Sequence, residues 1–390
     1  MRSSIVISAF IAVLVGFGGS VAVVLAATKA VGATELETAS WVGGLCLAMM
    51  ATSLILSVRH RLPIVTAWST PGAALLAATS GVTMSSAVGA FLLAAALMLA
   101  TAAFRPLGAL VEKLPAPIAS SMLAGVLFSF VLNIFEALQV NPVFVMPLVG
   151  GFMILRLISP IWAVLLVLIG GILLAMGLGM IGPVPALGLS AFTVIRPAFD
   201  PAILIGVGVP LYLVTMASQN LPGAAVLRAA GYPAPMRSIL AVTGLASLLT
   251  APLGAHTSNL AAITASICTG PDAHPDPSKR WLCGPFYALG YGFLALFGAS
   301  VVALFASFPE TLILTIAGLA LLGPFVAAIG NGVSEERYRF AAAVTFVVTV
   351  SGIGLFGIGS AFWGLVAGLA ILGLDKLKAR LSRESKSRVG

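Results

Sequence analysis

The sequence predicts an all-α polytopic membrane protein, with about fourteen transmembrane segments forming a seven-plus-seven inverted repeat. Three observations carry this. First, 60% of the 390 residues are hydrophobic and only 8% are charged, against roughly 25% charged in soluble globular chains. Second, apolar runs recur along the whole chain at the ~20-residue scale of a bilayer crossing. Third, Lys and Arg sort to one side when the runs are threaded alternately through a membrane. The net charge of +8 follows from that sorting and does not point to a nucleic-acid partner.

The segments are expected near 5–27, 38–57, 63–80, 85–104, 117–135, 141–156, 160–180, 201–222, 236–251, 252–269, 284–308, 310–330, 339–353 and 356–374. The apolar run from Ile5 to Ala27 exceeds the ~7–15 residues of a signal-peptide core and reads as a retained first helix. With the N-terminus in the cytoplasm, only Lys29 and Arg196 of the 20 basic residues fall outside. Arg156 is assigned inside on this count alone. The longest connection, 181–200, holds Pro183, Pro185 and Pro197 and separates 1–180 from 201–374. An odd number of segments per half makes the second half start from the opposite side, which is the arithmetic of an inverted repeat. Residues 375–390 form a basic tail, expected to be disordered or interfacial and cytoplasmic.

The third and tenth segments are interrupted, and paired interruptions point to the binding site of a repeat-built transporter. The first carries Ser69, Thr70, Pro71 and Gly72; the second carries His256, Thr257, Ser258 and Asn259. Pro63 and Pro71 bracket an extended stretch, and Pro71 suits the first turn of a new helix. Thr70 is the expected N-cap there, and Thr257 or Ser258 the expected cap of a helix from Asn259 to Thr269. Helix N-termini bind anions without Lys or Arg. The competing reading is a pair of ordinary Pro/Gly kinks.

His256 is the one titratable side chain well inside a segment. It is a proton-carrier candidate by the cost of intramembrane charge. Equally it reads as a neutral imidazole bonded to a carbonyl or to Thr257, Ser258 or Asn259. On the eighth segment Tyr212, Thr215, Ser218 and Gln219 share one helix face, either lining a site or bonding to neighbours. Trp68 and Phe17 offer aromatic faces for stacking or packing. Cys46, Cys268 and Cys283 lack metal-ligand spacing. Gly352, Gly354 and Gly357 match the dinucleotide-binding pattern but lie in an apolar region with no strand–helix unit around them. Walker-loop, paired-histidine zinc and nucleophile-elbow motifs are absent from the sequence, so no catalytic residue, metal or cofactor is expected, and transport must draw on a gradient.

The string Thr66–Leu75 (TAWSTPGAAL), the string Met216–Gly223 (MASQNLPG) and the stretch from Thr250 to Thr264 closely resemble the benzoate/proton symporter (BenE) family. The resemblance spans nearly the whole chain. It implies the fold of nucleobase permeases and sulfate-type anion transporters, with core and gate domains and half-helices in segments three and ten. It also implies proton-coupled uptake of benzoate or a similar aromatic carboxylate across the bacterial inner membrane. Dimers occur in the wider fold, so a homodimer is an open expectation. Nucleobase permeases are similar around segment eight but carry an acid about where Ser218 stands; its absence favours an anionic substrate. A purine or pyrimidine permease, and an anion uniporter or channel of the same fold, remain the alternatives.

Overall fold

The computed structural model describes residues 3–104, 115–183, 188–356 and 358–389. Arg2, Arg105, Lys113 and Pro185, which enter the charge sorting and the connecting loop, lie outside the described residues. The chain is mostly helical. Helices α1 (Ser3–Gly18) and α2 (Val21–Ala30) meet at a short turn, followed by α3 (Glu35–His60), strand β1 (Thr66–Trp68), α4 (Thr70–Ala77), α5 (Met84–Ala103), α6 (Ala116–Val140), α7 (Pro142–Ile158) and α8 (Pro160–Gly177). A long helical run, α9 (Pro201–Ala229), opens the second part. Then come α10 (Met236–Thr250), β2 (Ser258–Leu260), α11 (Ile263–Thr269), α12 (Cys283–Leu296), α13 (Gly298–Ala306), α14 (Glu310–Val333), α15 (Arg339–Val350) and α16 (Ser360–Val389). Among the described residues, seven helices are long and apolar enough to cross a membrane, or eight if the α12–α13 pair, bent by 64°, forms one span.

Local chemistry sets the ends. Thr34 and Glu37 form a reciprocal capping box at the start of α3, and Thr83 with Ser86 does the same for α5, each satisfying amides that a helix leaves free. Asn141 accepts from Phe144 N at 3.2 Å to start α7, with Pro142 in its first turn. The last helix runs on to Val389, so of the two expectations for the tail, disordered or interfacial, its helical backbone excludes the first.

The helices form two packed groups. In one, α3, α5, α10 and α12 pack around the two strands, with α1 against α11 and α12. In the other, α6 packs on α14 and α15, and α7 on α8. Small residues allow close contact between helices that have no hydrophobic drive to associate within lipid. A Cβ on Gly332 of α14 would fall 2.5 Å from Ser121 Oγ of α6. The connecting segment is strapped down: Ile195 N donates to Pro252 O at 2.7 Å and Ala198 N to Ser85 O at 2.9 Å. At one end of the bundle Lys29 Nζ meets Glu310 Oε1 at 2.6 Å, tying α2 to α14 at an exposed position.

The candidate binding site at the paired chain breaks

The two interruptions meet. β1 and β2 pair antiparallel with Thr66 opposite Leu260, Ala67 opposite Asn259 and Trp68 opposite Ser258. Ser69 N→Thr257 O at 3.0 Å and Ala261 N→Val65 O at 3.1 Å extend the ladder at both ends. A two-stranded sheet in a bilayer must satisfy its outer amides internally. Thr66 N donates to Ser53 Oγ at 3.0 Å, Ser258 N to Ser247 Oγ at 2.9 Å and Leu260 N to Asn220 Oδ1 at 3.0 Å. The hydroxyls of Thr52 and Ser53 on α3 therefore support β1, and the Ser247 hydroxyl and the Thr243 carbonyl on α10 support β2.

The caps differ from expectation by position and by kind. Ser69, not Thr70, is the N-cap of α4: its Oγ accepts from Gly72 N at 3.1 Å, with Pro71 in the first turn. Ser69 has the extended backbone that a cap requires, with φ −77° and ψ 90°. Thr257 and Ser258 do not cap a helix. Ser258 and Asn259 are strand residues, and α11 starts only at Ile263, preceded by Ala262 with no side-chain cap. Thr257 Oγ1 pairs with Thr215 Oγ1 at 2.7 Å. Asn259 Nδ2 donates to Leu260 O at 3.0 Å. Ser69→Ala is expected to lower stability by about 1 kcal/mol, seen as a lower thermal midpoint in detergent; an unchanged midpoint would show that the cap contributes nothing.

His256 is fully buried just before β2. Its Nδ1 accepts from Trp41 Nε1 at 2.9 Å, and its Nε2 lies 3.0 Å from Ser69 O. An indole N–H only donates. The proton of the neutral ring is therefore on Nε2, donated to the carbonyl of the α4 cap. The side chain bonds across the two interruptions and has both ring nitrogens occupied.

A cavity of about 570 Å³ borders this assembly. Thr70, Pro71, Trp68, Gln219, Thr264 and Tyr291 line one side; Phe152 and Arg156 of α7, Val164 of α8 and Leu319 to Ala327 of α14 line the other. Its volume suits a small organic molecule. Trp68 packs edge-on to Phe17 at 5.6 Å and to Tyr291 at 6.1 Å, giving the cavity an aromatic wall. Of the sequence candidates, Thr70, Pro71 and Gln219 reach the cavity. Ser69, Gly72, His256, Thr257, Ser258 and Asn259 lie behind it as its scaffold, and Ser218 is absent from its lining. The expected Tyr212–Gln219 stripe is split, because Met216–Asn220 forms a π-helical turn that shifts the register of side chains. Tyr212 bonds to Thr101 and Thr215 to Thr257, while Gln219 faces the cavity.

Sequence reasoning missed Arg156, Tyr291 and Thr264. Arg156 was read as a topology marker; only folding reveals that α7 presents it to the cavity. It is the only Lys, Arg, Asp or Glu among the lining residues.

An apolar cavity set between two helix groups, beside two broken segments, within a bundle of helices long and apolar enough to span a membrane, is the arrangement of a membrane transporter. The benzoate membrane transport protein (BenE) family matches residues 1–374, and the chain belongs to that family. It is 38% identical to the inner membrane protein YdcO of Escherichia coli over 364 residues, 93% of each chain. It is 36% identical to the benzoate membrane transport protein of Acinetobacter baylyi over 373 residues, covering 94% of this chain and 93% of the relative. Among solved structures, the fold is similar to the transmembrane domain of the cyanobacterial bicarbonate transporter BicA (TM-score 0.58, 14% identity, 94% of this chain and 97% of that chain). It is also similar to SLC26A9 (TM-score 0.63, 12% identity, 94% of this chain and 64% of that chain).

Proposed function

We propose that the protein is a proton-coupled symporter that takes up benzoate or a similar aromatic carboxylate across a bacterial inner membrane. The observation that carries this reading is the cavity itself: aromatic and apolar over most of its lining, with polar groups at the α4 N-terminus and on α9, and no acid. An apolar wall accommodates a ring, and the absence of Asp or Glu avoids repelling a carboxylate. The neutral polar groups at hand are Thr70, whose amide has no intrahelical acceptor at this helix position, the half-helix dipole, the Gln219 amide and the hydroxyls of Ser20, Thr264 and Tyr291.

The fourteen-segment, seven-plus-seven plan with both termini cytoplasmic belongs to the same proposal. The matching roles of α3 and α10, second and ninth in the segment order, support it: each accepts a strand amide of the following interrupted segment on a serine hydroxyl, Ser53 and Ser247. The helix group around the strands corresponds to a core, and the group of α6–α8 and α14–α16 to a gate.

His256 is assigned a positioning role in place of proton carriage. Adding a proton at Nδ1 would displace the Trp41 N–H, leave that donor unbonded and put an unpaired charge in a fully buried position. In this mechanism the proton crosses on the substrate carboxyl, so one proton and one anion move without net charge. Labelled benzoate uptake into proteoliposomes with an alkaline interior tests the reading, with empty liposomes and excess unlabelled benzoate as controls. Saturable, protein-dependent accumulation that a protonophore abolishes is the expected result; uptake equal to empty liposomes by folded protein would overturn it.

A further inference from the structure

The chemistry described so far leaves the carboxylate without a full positive charge. At the start of α4, Ser69 Oγ occupies the Gly72 amide, Pro71 has no amide hydrogen and Ala73 N donates to Ser69 O at 2.8 Å. Thr70 alone retains a free amide at that end, so the half-helix offers one N–H and a partial charge. The opposite wall supplies what is missing. Arg156 stands in the last turn of α7, unburied by the rest of the chain and lining the cavity. Among the described residues Arg156, like Arg59, Arg196 and Arg228, has no hydrogen bond, ion pair or aromatic partner, and of these four it alone lines the cavity. A guanidinium held at an apolar cavity with no acid in its lining is poised for a planar carboxylate, which it binds through two parallel hydrogen bonds.

The position in the bundle gives the residue a direction. A Cβ on Gly171 of α8 would fall 2.5 Å from Leu312 Cδ1, so Gly171 lies near the Glu310 end of α14. Pro160, eleven residues earlier on α8 and also lining the cavity, lies about 16 Å toward the other end. Arg156 is thus at the end opposite the Lys29–Glu310 contact.

We infer that Arg156 is the specificity-determining residue of the cavity, capturing the substrate as its carboxylate and discriminating against neutral aromatic amides and acids. The inference rests on the aromatic-carboxylate reading above. It adds a division of labour: α7 supplies the charge, and α4 and α9 supply the neutral contacts that remain when the charge is released.

The test measures equilibrium binding of labelled benzoate to purified full-length protein in detergent, with unlabelled benzoate and its neutral isostere benzamide as competitors. Arg156→Gln is expected to weaken benzoate binding about 10-fold or more and to leave benzamide competition unchanged, measured with a labelled benzamide where benzoate no longer binds. Arg156→Lys, which keeps the charge and loses the fork, is expected to fall between. Benzoate affinity should also weaken with added salt in the wild type and not in Arg156→Gln. Wild type that prefers benzoate, with Arg156→Gln keeping the same preference, would overturn the role of Arg156 alone. Wild type that binds benzamide as well as benzoate would overturn the carboxylate reading and the arginine's role with it. Matching gel-filtration profiles and thermal midpoints of the three proteins distinguish lost recognition from lost folding.

Discussion

Replacing His256 by alanine is expected to destabilise the protein by roughly 2–5 kcal/mol and to reduce uptake to background. The substitution removes both bonds that join Trp41 on α3 to the Ser69 carbonyl at the α4 cap. Ser69 O keeps its bond from Ala73 N, so the larger loss falls on the indole N–H, left buried without an acceptor, and on the void beside Phe91, whose ring centroid is 6.3 Å from the imidazole. His256→Gln separates geometry from titration. Glutamine presents one donor and one acceptor without a proton that ionises, so it is expected to retain much of the stability and uptake with the pH dependence unchanged. Uptake by His256→Gln that is folded yet no longer driven by the pH gradient would return the proton-carrier role to this histidine.

Asn220→Leu is expected to be the second severe change. Asn220 is fully buried in the π-helical turn of α9. Its Oδ1 accepts from Leu260 N at 3.0 Å on the outer edge of β2, and its Nδ2 donates to Thr215 O at 3.3 Å. Leucine has similar bulk and neither function. It leaves a strand amide unpaired inside the bundle, at a cost of roughly 1–3 kcal/mol, and frees α9 from the strand beside Gln219. Ser247→Ala, which removes the acceptor of Ser258 N, is expected to act in the same direction. The readouts are the thermal midpoint in detergent and uptake per folded molecule. A midpoint unchanged in Asn220→Leu would show that the edge amide finds another partner and that the bond is dispensable.

What the sequence disclosed follows from what proline, glycine and charge encode locally. Pro63, Pro252 and Gly254 mark where helices stop and Pro71 where one starts, because each acts on its own backbone and immediate neighbours. The identity of the cap was one residue off, since Ser69 and Thr70 carry the same hydroxyl chemistry and only the backbone dihedrals separate them. By local signals Thr257 or Ser258 caps a helix from Asn259 to Thr269, because hydroxyl residues after a Pro/Gly break cap helices well; the structure makes 258–260 a strand. That they instead pair with 66–68 depends on contacts nearly 200 residues away, which no local signal encodes. The face drawn through Tyr212, Thr215, Ser218 and Gln219 assumed 3.6 residues per turn, and the π turn at Met216–Asn220 broke that premise. Arg156 was invisible as a site residue for a different reason: at the end of an apolar segment, an arginine that obeys the charge bias of membrane loops looks the same as one that faces a cavity.

The joint between β1 and β2 is built from main-chain groups, and this has a consequence for how the family diverges. A side-chain contact can be erased by one substitution, whereas a backbone ladder persists through any substitution that keeps the segment extended. Drift can then rewrite the residues that meet the solute, such as those at the α4 N-terminus and on α7, while the frame that presents them stays in place. The fold is similar, at 14% identity, to a bicarbonate transporter's transmembrane domain; a frame joined through peptide bonds leaves the chemistry it displays free to vary.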